Sequence, residues 1–259
     1  MNRLGTHLSI LQEKGEKALT LFLTAGFPKL NSTPSLVLML EKAGADIIEL
    51  GMPFSDPLAD GPIIQESSAI ALNNGMTLEH VLENVREIRK TSEIPIVLMG
   101  YVNPILAYGL DKFFVDASHA GVDGIILPEV PLEESARFAA LIDSAGLANI
   151  MLVAPTTPVE RVQRIDEVSS GFLYCVSMTG VTGMKRSGGN NGFIKHVKSN
   201  AKRNPVLVGF GISSLADARM YARDSDGVIV GSALIKRLLA GETKSSITQW
   251  VQRMKSEMG

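Results

Sequence analysis

A single carboxylate, Glu49, interrupts an otherwise apolar stretch of the chain. Its neighbours Ile47, Ile48 and Leu50 are aliphatic, so the Glu49 side chain is expected to be buried. Burial of an ionised carboxylate is costly unless the group is paired with a cation or protonated. One interpretation is structural, with a loop arginine or water satisfying the carboxylate. The other is a carboxyl group with a raised pKa that gives and takes protons near neutral pH.

An acidic, proline-rich segment, Pro53–Pro62, follows this stretch directly. It carries two more carboxylates, Asp56 and Asp60. Because proline restricts the backbone, these acidic groups are held in place rather than free. Each aspartate could take part in chemistry or could only turn the chain through a local hydrogen bond, and the turn is slightly favoured for Asp56.

Glycine-containing segments occur at three later positions, Thr179–Gly183, Gly209–Ser213 and Gly231-Ser232. Glycine lets the backbone approach a ligand closely, and N–H groups at the start of a helix bind anions. Together the segments favour a phosphate site. The alternative is that these glycines only form tight turns between strands and helices.

The elements that would position these groups are eight short apolar runs. Most are continuous rather than alternating, which is typical of parallel strands covered on both faces. The runs are Ala18–Ala25, Asp46–Met52, Pro95–Tyr101, Gly124–Pro128, Asn149–Ala154, Gly171–Ser177, Pro205–Ile212 and Gly227–Val230.

Segments with helical periodicity lie between the runs. Leu78, Val81 and Leu82 begin one such pattern, with Thr77 as its predicted cap, and Thr157–Glu160 has the form of a capping box. An additional helix, Gly5–Lys14, precedes the first run and could cover the bottom of a barrel.

The repeated alternation predicts an α/β fold, a single (β/α)8 TIM barrel over residues 1–259 with an extra N-terminal helix. A doubly wound open sheet is the alternative. In a barrel of this kind the active site lies at the C-terminal ends of the strands, where loops after the last strands often bind phosphate. The chain length of 259 residues fits, since such a domain needs about 250.

Composition excludes several classes of function. The net charge of −2 gives no basic surface for nucleic acid. No apolar run reaches the ~18 residues of a membrane span, and the N-terminus lacks the apolar core of a signal peptide. With Cys175 as the only cysteine, no internal disulfide can form, and a cytoplasmic location is expected.

The apolar runs also limit the chemistry. None contains a lysine that could form a Schiff base, and no histidine lies in a run or at its end, so no metal site is expected. The residues therefore indicate an acid–base enzyme acting on a small phosphorylated molecule. It could break a carbon–carbon bond if the substrate supplies its own electron sink, or it could isomerise a sugar phosphate.

The segment Leu50–Pro62 resembles the signature of the tryptophan synthase alpha subunit family. Val181-Thr182-Gly183 and Gly209–Ser213 are similar to two further motifs of that family, and Phe22, Glu49 and Tyr174 stand where the family has them. The sequence departs from the family pattern at two places. Glu129 replaces a usual aspartate, and Met184-Lys185-Arg186 stands where many members have a small residue, which could alter closure of a mobile loop.

The resemblance implies retro-aldol cleavage of indole-3-glycerol phosphate to indole and glyceraldehyde 3-phosphate in tryptophan biosynthesis. Glu49 would be the general acid and base, Asp60 would accept the indole N–H, and Tyr174 would line the glycerol side. The remaining implied residues bind substrate. They are Phe22, Ile64, Met99 and Leu127 around the indole ring, Gly183, Phe210, Gly211, Gly231 and Ser232 toward the phosphate, and Thr182 in a lid over Asp60.

The resemblance also implies a partner, a beta subunit that carries pyridoxal phosphate and receives indole within an alpha2-beta2 tetramer. This chain would hold no cofactor. The loop Pro53–Asp60 and the segment Tyr101–Pro104 would form an exposed apolar docking patch. The alternatives are a stand-alone lyase, another phosphosugar enzyme such as an isomerase, and a catalytically inactive barrel that only regulates its partner.

Overall fold

The computed structural model describes residues 2–176, 190–209 and 211–259. The predictions for Thr179–Gly183, including Thr182 and Gly183, for Met184-Lys185-Arg186 and for Phe210 therefore lie outside the described residues.

Parallel strands form one nine-stranded sheet in the described part of the chain, in the order β5-β4-β3-β2-β1-β9-β8-β7-β6. The strands are β1 (Ala18–Thr24), β2 (Ile47–Gly51), β3 (Ile96–Met99), β4 (Gly124–Ile126), β5 (Ala148–Ile150), β6 (Leu152–Val153), β7 (Leu173–Val176), β8 (Val206–Gly209) and β9 (Gly227–Val230).

The sheet closes through a strand that is interrupted at Met151. Its first half, β5, pairs with β4, and its second half, β6, pairs with β7. Counted as one, these halves make the eight strands that the apolar runs predict. The (β/α)8 barrel is therefore confirmed, and the doubly wound open sheet is excluded.

Helices surround the barrel. They are α1 (Arg3–Lys14), α2 (Thr33–Lys42), α3 (Pro62–Asn73), α4 (Leu78–Arg89), α5 (Val102–Tyr108), α6 (Leu110–Ala120), α7 (Ser135–Ser144), α8 (Val159–Val168), α9 (Asn190–Asn200), α10 (Leu215–Asp224), α11 (Ser232–Leu239) and α12 (Lys244–Ser256). Among the residues described, none of the helices is long and apolar enough to cross a bilayer.

The continuous apolar strands are buried on both faces, because the helices cover the outside and side chains fill the inside. All seven residues of β1 and all five of β2 are buried. This is the arrangement that a run without polar alternation predicts.

The N-terminal helix α1 covers the bottom of the barrel, as predicted. It begins at Arg3, two residues before the predicted start, because the Asn2 side chain accepts the N–H of Gly5 and caps it. Leu4, Leu8 and Leu11 are buried. Arg3 pairs with Asp123, the residue before β4, so the helix is tied to the N-terminal ends of the strands.

Aspartates at the bottom of the barrel join neighbouring strands. The carboxylates of Asp46, Asp123 and Asp226, each just before a strand, accept backbone N–H groups at the start of an adjacent strand at 2.7, 2.8 and 2.9 Å. Each also has a cation partner, respectively Lys255, Arg89 and Lys198. The negative charges of these three aspartates are thus compensated.

The two helix-cap predictions have different outcomes. Thr77 caps α4 by accepting the N–H of His80, as predicted. The capping box at Thr157–Glu160 is wrong, because α8 begins with Pro158 in the cap position and no side-chain cap bond. The Thr157 hydroxyl instead accepts the N–H of Ala154 and closes a turn after β6.

Candidate active site

Glu49 lies in the middle of β2, in register with Phe22 on β1 and Val97 on β3. Only 1% of the residue is exposed. Its Oε2 atom has no hydrogen-bond partner, and none of the described lysines or arginines forms an ion pair with it. Burial, assisted by the nearby Asp60 charge, raises the pKa of Glu49 to about 8. Glu49 is thus poised to exchange a proton near neutral pH.

Asp60 lies on the loop between β2 and α3 and is partly buried. Its backbone carbonyl accepts a hydrogen bond of 2.8 Å from Nε2 of Gln65. Burial raises the pKa of the Asp60 carboxyl, and the hydroxyl of Tyr101 acts in the opposite direction. Asp56 is exposed and accepts a hydrogen bond from the hydroxyl of its neighbour Ser55, and its role as a turn residue stays a prediction.

Tyr174 on β7 lies beside both carboxyl groups. The residue is 4% exposed, and its burial together with the charges of Glu49 and Asp60 raises the pKa of its hydroxyl well above the ordinary range. Its ring fits against β8 because residue 209 is glycine, where an added Cβ atom would lie 2.3 Å from the Tyr174 oxygen. The three residues predicted to act in catalysis are therefore neighbours in the structure.

A small cavity of about 10 Å³, lined mostly by apolar residues but also by Ser68 and Tyr101, lies next to Asp60 at the mouth of the barrel. Phe22, Ile64 and Met99 line it together with Tyr101. The Phe22 ring occupies the space over Gly51, where an added Cβ atom would be 2.5 Å from its Cζ. Three of the four side chains predicted to surround an indole ring thus meet beside the carboxyl group predicted to accept its N–H.

Leu127, the fourth predicted wall residue, lies elsewhere. It lines a separate cavity of about 330 Å³ that also contacts α7 and α8. Ile126 is in register with Met99, so its buried side chain is on the same face of the sheet as Met99. Since successive side chains in a strand alternate between faces, Leu127 falls on the other side, and Ile126 is the better candidate for this wall.

The glycines predicted to bind phosphate lie at the C-terminal side of the last two strands. Gly211 has a left-handed φ of 74°, and Gly231 is the cap residue before Ser232, the first residue of α11. An added Cβ atom at Gly231 would be 3.3 Å from Cβ of Phe22, so this helix start is close to the apolar cavity. The N–H groups of such a helix start suit an anion.

The sequence analysis placed Tyr101 in the exposed docking patch, but this residue is buried and lines the cavity next to Asp60. It stands at the end of β3, is 4% exposed, and its hydroxyl oxygen accepts the N–H of Ala59 at 3.0 Å. Its position as the last residue of a predicted run, at the end of a strand where active sites lie, was the available signal.

Across the described ranges, no group of three or more histidine, cysteine, aspartate or glutamate side chains is arranged to hold a metal ion. The described groups that can exchange protons in the barrel mouth are carboxyl and phenol groups. Fold and site together define a (β/α)8-barrel enzyme of the acid–base class.

Comparisons with known proteins identify the family. The family model described as tryptophan synthase alpha chain matches residues 8–259. The chain is 49% identical over 239 residues to the tryptophan synthase alpha chain of Geotalea daltonii, covering 92% of this chain and 90% of that one. It is 45% identical over 264 residues to that of Geobacter sulfurreducens, covering 100% of both chains.

Solved structures agree. The tryptophan synthase subunit alpha of Legionella pneumophila is similar with a TM-score of 0.90 and 38% identity, covering 100% of this chain and 98% of that chain. A chain of tryptophan synthase from Mycobacterium tuberculosis, in an aminoacrylate-bound form, is similar with a TM-score of 0.89 and 32% identity, covering 100% of both chains. The chain described here belongs to the tryptophan synthase alpha chain family.

Proposed function

We propose that this chain cleaves indole-3-glycerol phosphate to indole and glyceraldehyde 3-phosphate. The observation that carries the proposal is the placement of Glu49. It is a buried carboxyl group with a pKa raised to about 8, and it lies in register with Phe22, which lines the cavity next to Asp60. A group of this pKa is protonated at neutral pH and can act first as an acid and then as a base.

In the proposed reaction, Glu49 gives its proton to C3 of the indole ring. The ring nitrogen then carries positive charge, and Asp60 accepts its N–H and stabilises that charge. The Glu49 carboxylate next takes the proton of the glycerol hydroxyl beside the bond to C3. The C–O bond becomes a carbonyl, the carbon–carbon bond breaks, and its electron pair returns to the ring, which releases indole and restores protonated Glu49.

The other predicted residues would bind the substrate. Tyr174, near the two carboxyl groups, would line the glycerol side. Gly211, Gly231 and Ser232, with Gly183, would hold the phosphate end, and Phe210 would also contact the substrate. Thr182 would belong to a lid that excludes water over Asp60.

We further propose that the chain docks on a beta subunit that carries pyridoxal phosphate, in an alpha2-beta2 tetramer in the cytoplasm, and passes indole to it. Two exposed leucines on loops and helices that follow strands of the barrel support this proposal. Leu58 on the loop after β2 is 83% exposed and Leu106 on α5 is 50% exposed. Exposed leucines of this kind are expected where a protein partner binds.

The test is indole-3-glycerol phosphate turnover by the purified chain, with and without a beta subunit from the same source. Slow cleavage that accelerates strongly with beta supports the proposal. Fast cleavage by the chain alone indicates a stand-alone lyase. If neither condition gives cleavage, two outcomes remain. Turnover of a phosphosugar that lacks the ring indicates an isomerase, and activation of beta indicates an inactive regulatory barrel.

A further inference from the structure

Tyr101 connects the loop that carries Asp60 to the body of the barrel. Its hydroxyl oxygen accepts the backbone N–H of Ala59 at 3.0 Å, and the hydroxyl also interacts with the Asp60 carboxyl group. The Tyr101 ring packs on Phe54 of the same loop, with 5.5 Å between ring centroids. Both ends of the loop therefore contact one buried phenol.

Tyr101 is itself held from the opposite side. It is the cap residue of α5, and the N–H of the next residue, Val102, donates to Oε1 of Glu129 at 2.6 Å. Glu129 follows β4, so two barrel strands fix the backbone at Tyr101. The phenol therefore links the loop after β2 to the segments that follow β3 and β4.

The geometry gives the hydroxyl two distinct roles. A phenol oxygen accepts while its hydrogen donates, and the N–H of Ala59 uses the acceptor. The hydrogen remains for a carboxylate, which is purely an acceptor when it is ionised. Since the pKa of Tyr101 is raised to about 12, chiefly by burial, the donor is present throughout the neutral range.

We propose that Tyr101 is a positioning residue for Asp60, which it holds through the Ala59 N–H and the Asp60 carboxylate so that the carboxylate faces the apolar cavity. The inference rests on the proposed function, because Asp60 acts there as the acceptor of the indole N–H. Tyr101 itself contributes no proton to the reaction.

The first test compares Tyr101→Phe with Tyr108→Phe. The control is on the helix that Tyr101 caps, and it loses a phenol–carboxylate hydrogen bond of 2.7 Å to Asp116. Tyr101→Phe should lower kcat about ten- to a hundredfold, the scale of a hydrogen bond to a charged group, with KM changed less than about threefold. Tyr108→Phe should retain kcat. Equal kcat in Tyr101→Phe and the unmodified chain would overturn the proposal.

The second test is the pH profile of kcat/KM. The Tyr101 hydroxyl lowers the pKa of Asp60. Its removal should raise that pKa, so the acidic limb of the profile should move to higher pH in Tyr101→Phe and stay in place in Tyr108→Phe. A residue that only supports the fold would lower the profile without moving this limb, and that result would contradict the proposal.

The third test is a double-mutant cycle with Asp60→Asn, a change that should itself cost about a hundredfold or more in kcat. If Tyr101 acts through Asp60, adding Tyr101→Phe should cause little further loss. A full additional loss in the Asp60→Asn background would show that Tyr101 acts independently.

A direct titration separates this inference from the proposed function. Carbon-13 NMR of the Asp60 carboxyl, which requires no turnover, should show a higher pKa in Tyr101→Phe. If the unmodified chain fails to cleave indole-3-glycerol phosphate, the proposed function fails regardless of this result. If it cleaves and the Asp60 pKa is unchanged, only the positioning role fails. Should Tyr101→Phe not fold, fluorotyrosine at position 101, a stronger donor, should move the Asp60 pKa downward, and no movement would overturn the proposal.

Discussion

At the scale of single residues, the carboxyl groups toward the two ends of the barrel have opposite environments. Asp46 and Asp123 at the bottom have cation partners and accept backbone N–H groups. Glu49 near the mouth has neither among the described residues, and burial raises its pKa to about 8. Ionising a buried carboxyl group that has no such partners costs free energy, and the group is therefore available for proton transfer near neutral pH.

The first prediction concerns Glu49→Gln. Cleavage should fall by at least about a thousandfold, the lower range expected when both the acid and the base are lost, while substrate binding is largely retained. Single-turnover rates and a separate binding titration would measure the two effects. Activity within tenfold of the unmodified chain would exclude the proposed role of Glu49.

The same substitution should change how stability depends on pH. The pKa of Glu49 is about 8 in the folded chain, above its ordinary value of 4.5. Between these two pKa values the native state binds more protons than the unfolded state. The contribution of Glu49 to the free energy of unfolding is therefore complete below the lower value and is lost as pH rises through the higher one.

Because glutamine does not titrate, Glu49→Gln should gain stability relative to the unmodified chain between pH 5 and pH 9. The gain should be a few kcal/mol, at about 1.4 kcal/mol for each unit by which the pKa values differ. Urea unfolding at both pH values would measure it, with the exposed Glu83→Gln as the control. A constant difference across this range would show that Glu49 is not buried in its neutral form.

The burial of Glu49 could be predicted from sequence because it was a polar residue among aliphatic neighbours. Its catalytic role stays a prediction. Leu127 was misplaced because every residue of that run is apolar, so the sequence does not reveal which side chains face inward; pairing with Met99 assigns Ile126 instead. Tyr101 was missed because its role depends on Ala59, forty-two positions away in the sequence.

At the scale of elements, the apolar runs predicted the strands well because length and continuity are local properties. The capping box at Thr157 failed because the same hydroxyl could instead close a turn with the Ala154 N–H. The interruption at Met151 was not predicted, since it arises where β5 and β6 pair with different neighbours. Local patterns thus fixed the type of element, and tertiary contacts decided its ends and breaks.

The second prediction concerns the contact between β7 and β8. Gly209→Ala should displace the Tyr174 ring, since the new Cβ atom would lie 2.3 Å from its oxygen. Cleavage should fall more than about tenfold, with a stability loss of about 1–3 kcal/mol typical of overpacking. Steady-state rates and urea unfolding would measure both.

Gly192→Ala is the matched control, because no atom lies within 4 Å of the added Cβ and the residue is in α9. That change should leave cleavage intact and stabilise the chain by about 0.5–1 kcal/mol, since alanine favours a helix over glycine. Unchanged activity in Gly209→Ala would mean that the position of Tyr174 does not matter to the reaction.

The third prediction concerns α1 as the floor of the barrel. Leu4 is fully buried, so Leu4→Ala should cost about 2–5 kcal/mol of unfolding free energy. Ile10 on the same helix is 41% exposed, and Ile10→Ala should cost less than about 0.5 kcal/mol. Both variants should cleave at the normal rate at temperatures where they are folded, since the floor lies opposite the mouth. A similar loss for both would contradict the assigned packing of α1.

At the scale of the whole molecule, function is divided between the two ends of one barrel. The lower end carries compensated charges and α1, and the upper end carries the unpaired acid, the cavity and the exposed leucines. Stability and activity can therefore be altered by separate substitutions, as in other barrels of this kind.

The fourth prediction tests the proposed docking surface. Leu58→Asp should weaken binding to a beta subunit more than about tenfold, because it places a charge in an apolar contact. Met220→Asp, at a residue 39% exposed on α10, should not change the affinity. Isothermal titration calorimetry would compare the two, and equal affinities would place the interface elsewhere.

The size of the cavity beside Asp60 has a consequence for ligand binding. At about 10 Å³ it accommodates roughly one water molecule, whereas a cavity of about 150 Å³ is known to bind benzene. The part of the site that these described residues enclose therefore takes an indole ring only in a conformer in which side chains such as Phe22 and Met99 have moved. The observed affinity is the intrinsic affinity multiplied by the fraction of molecules in that conformer. A partner on the mouth that favours the wider conformer would strengthen substrate binding without touching the substrate.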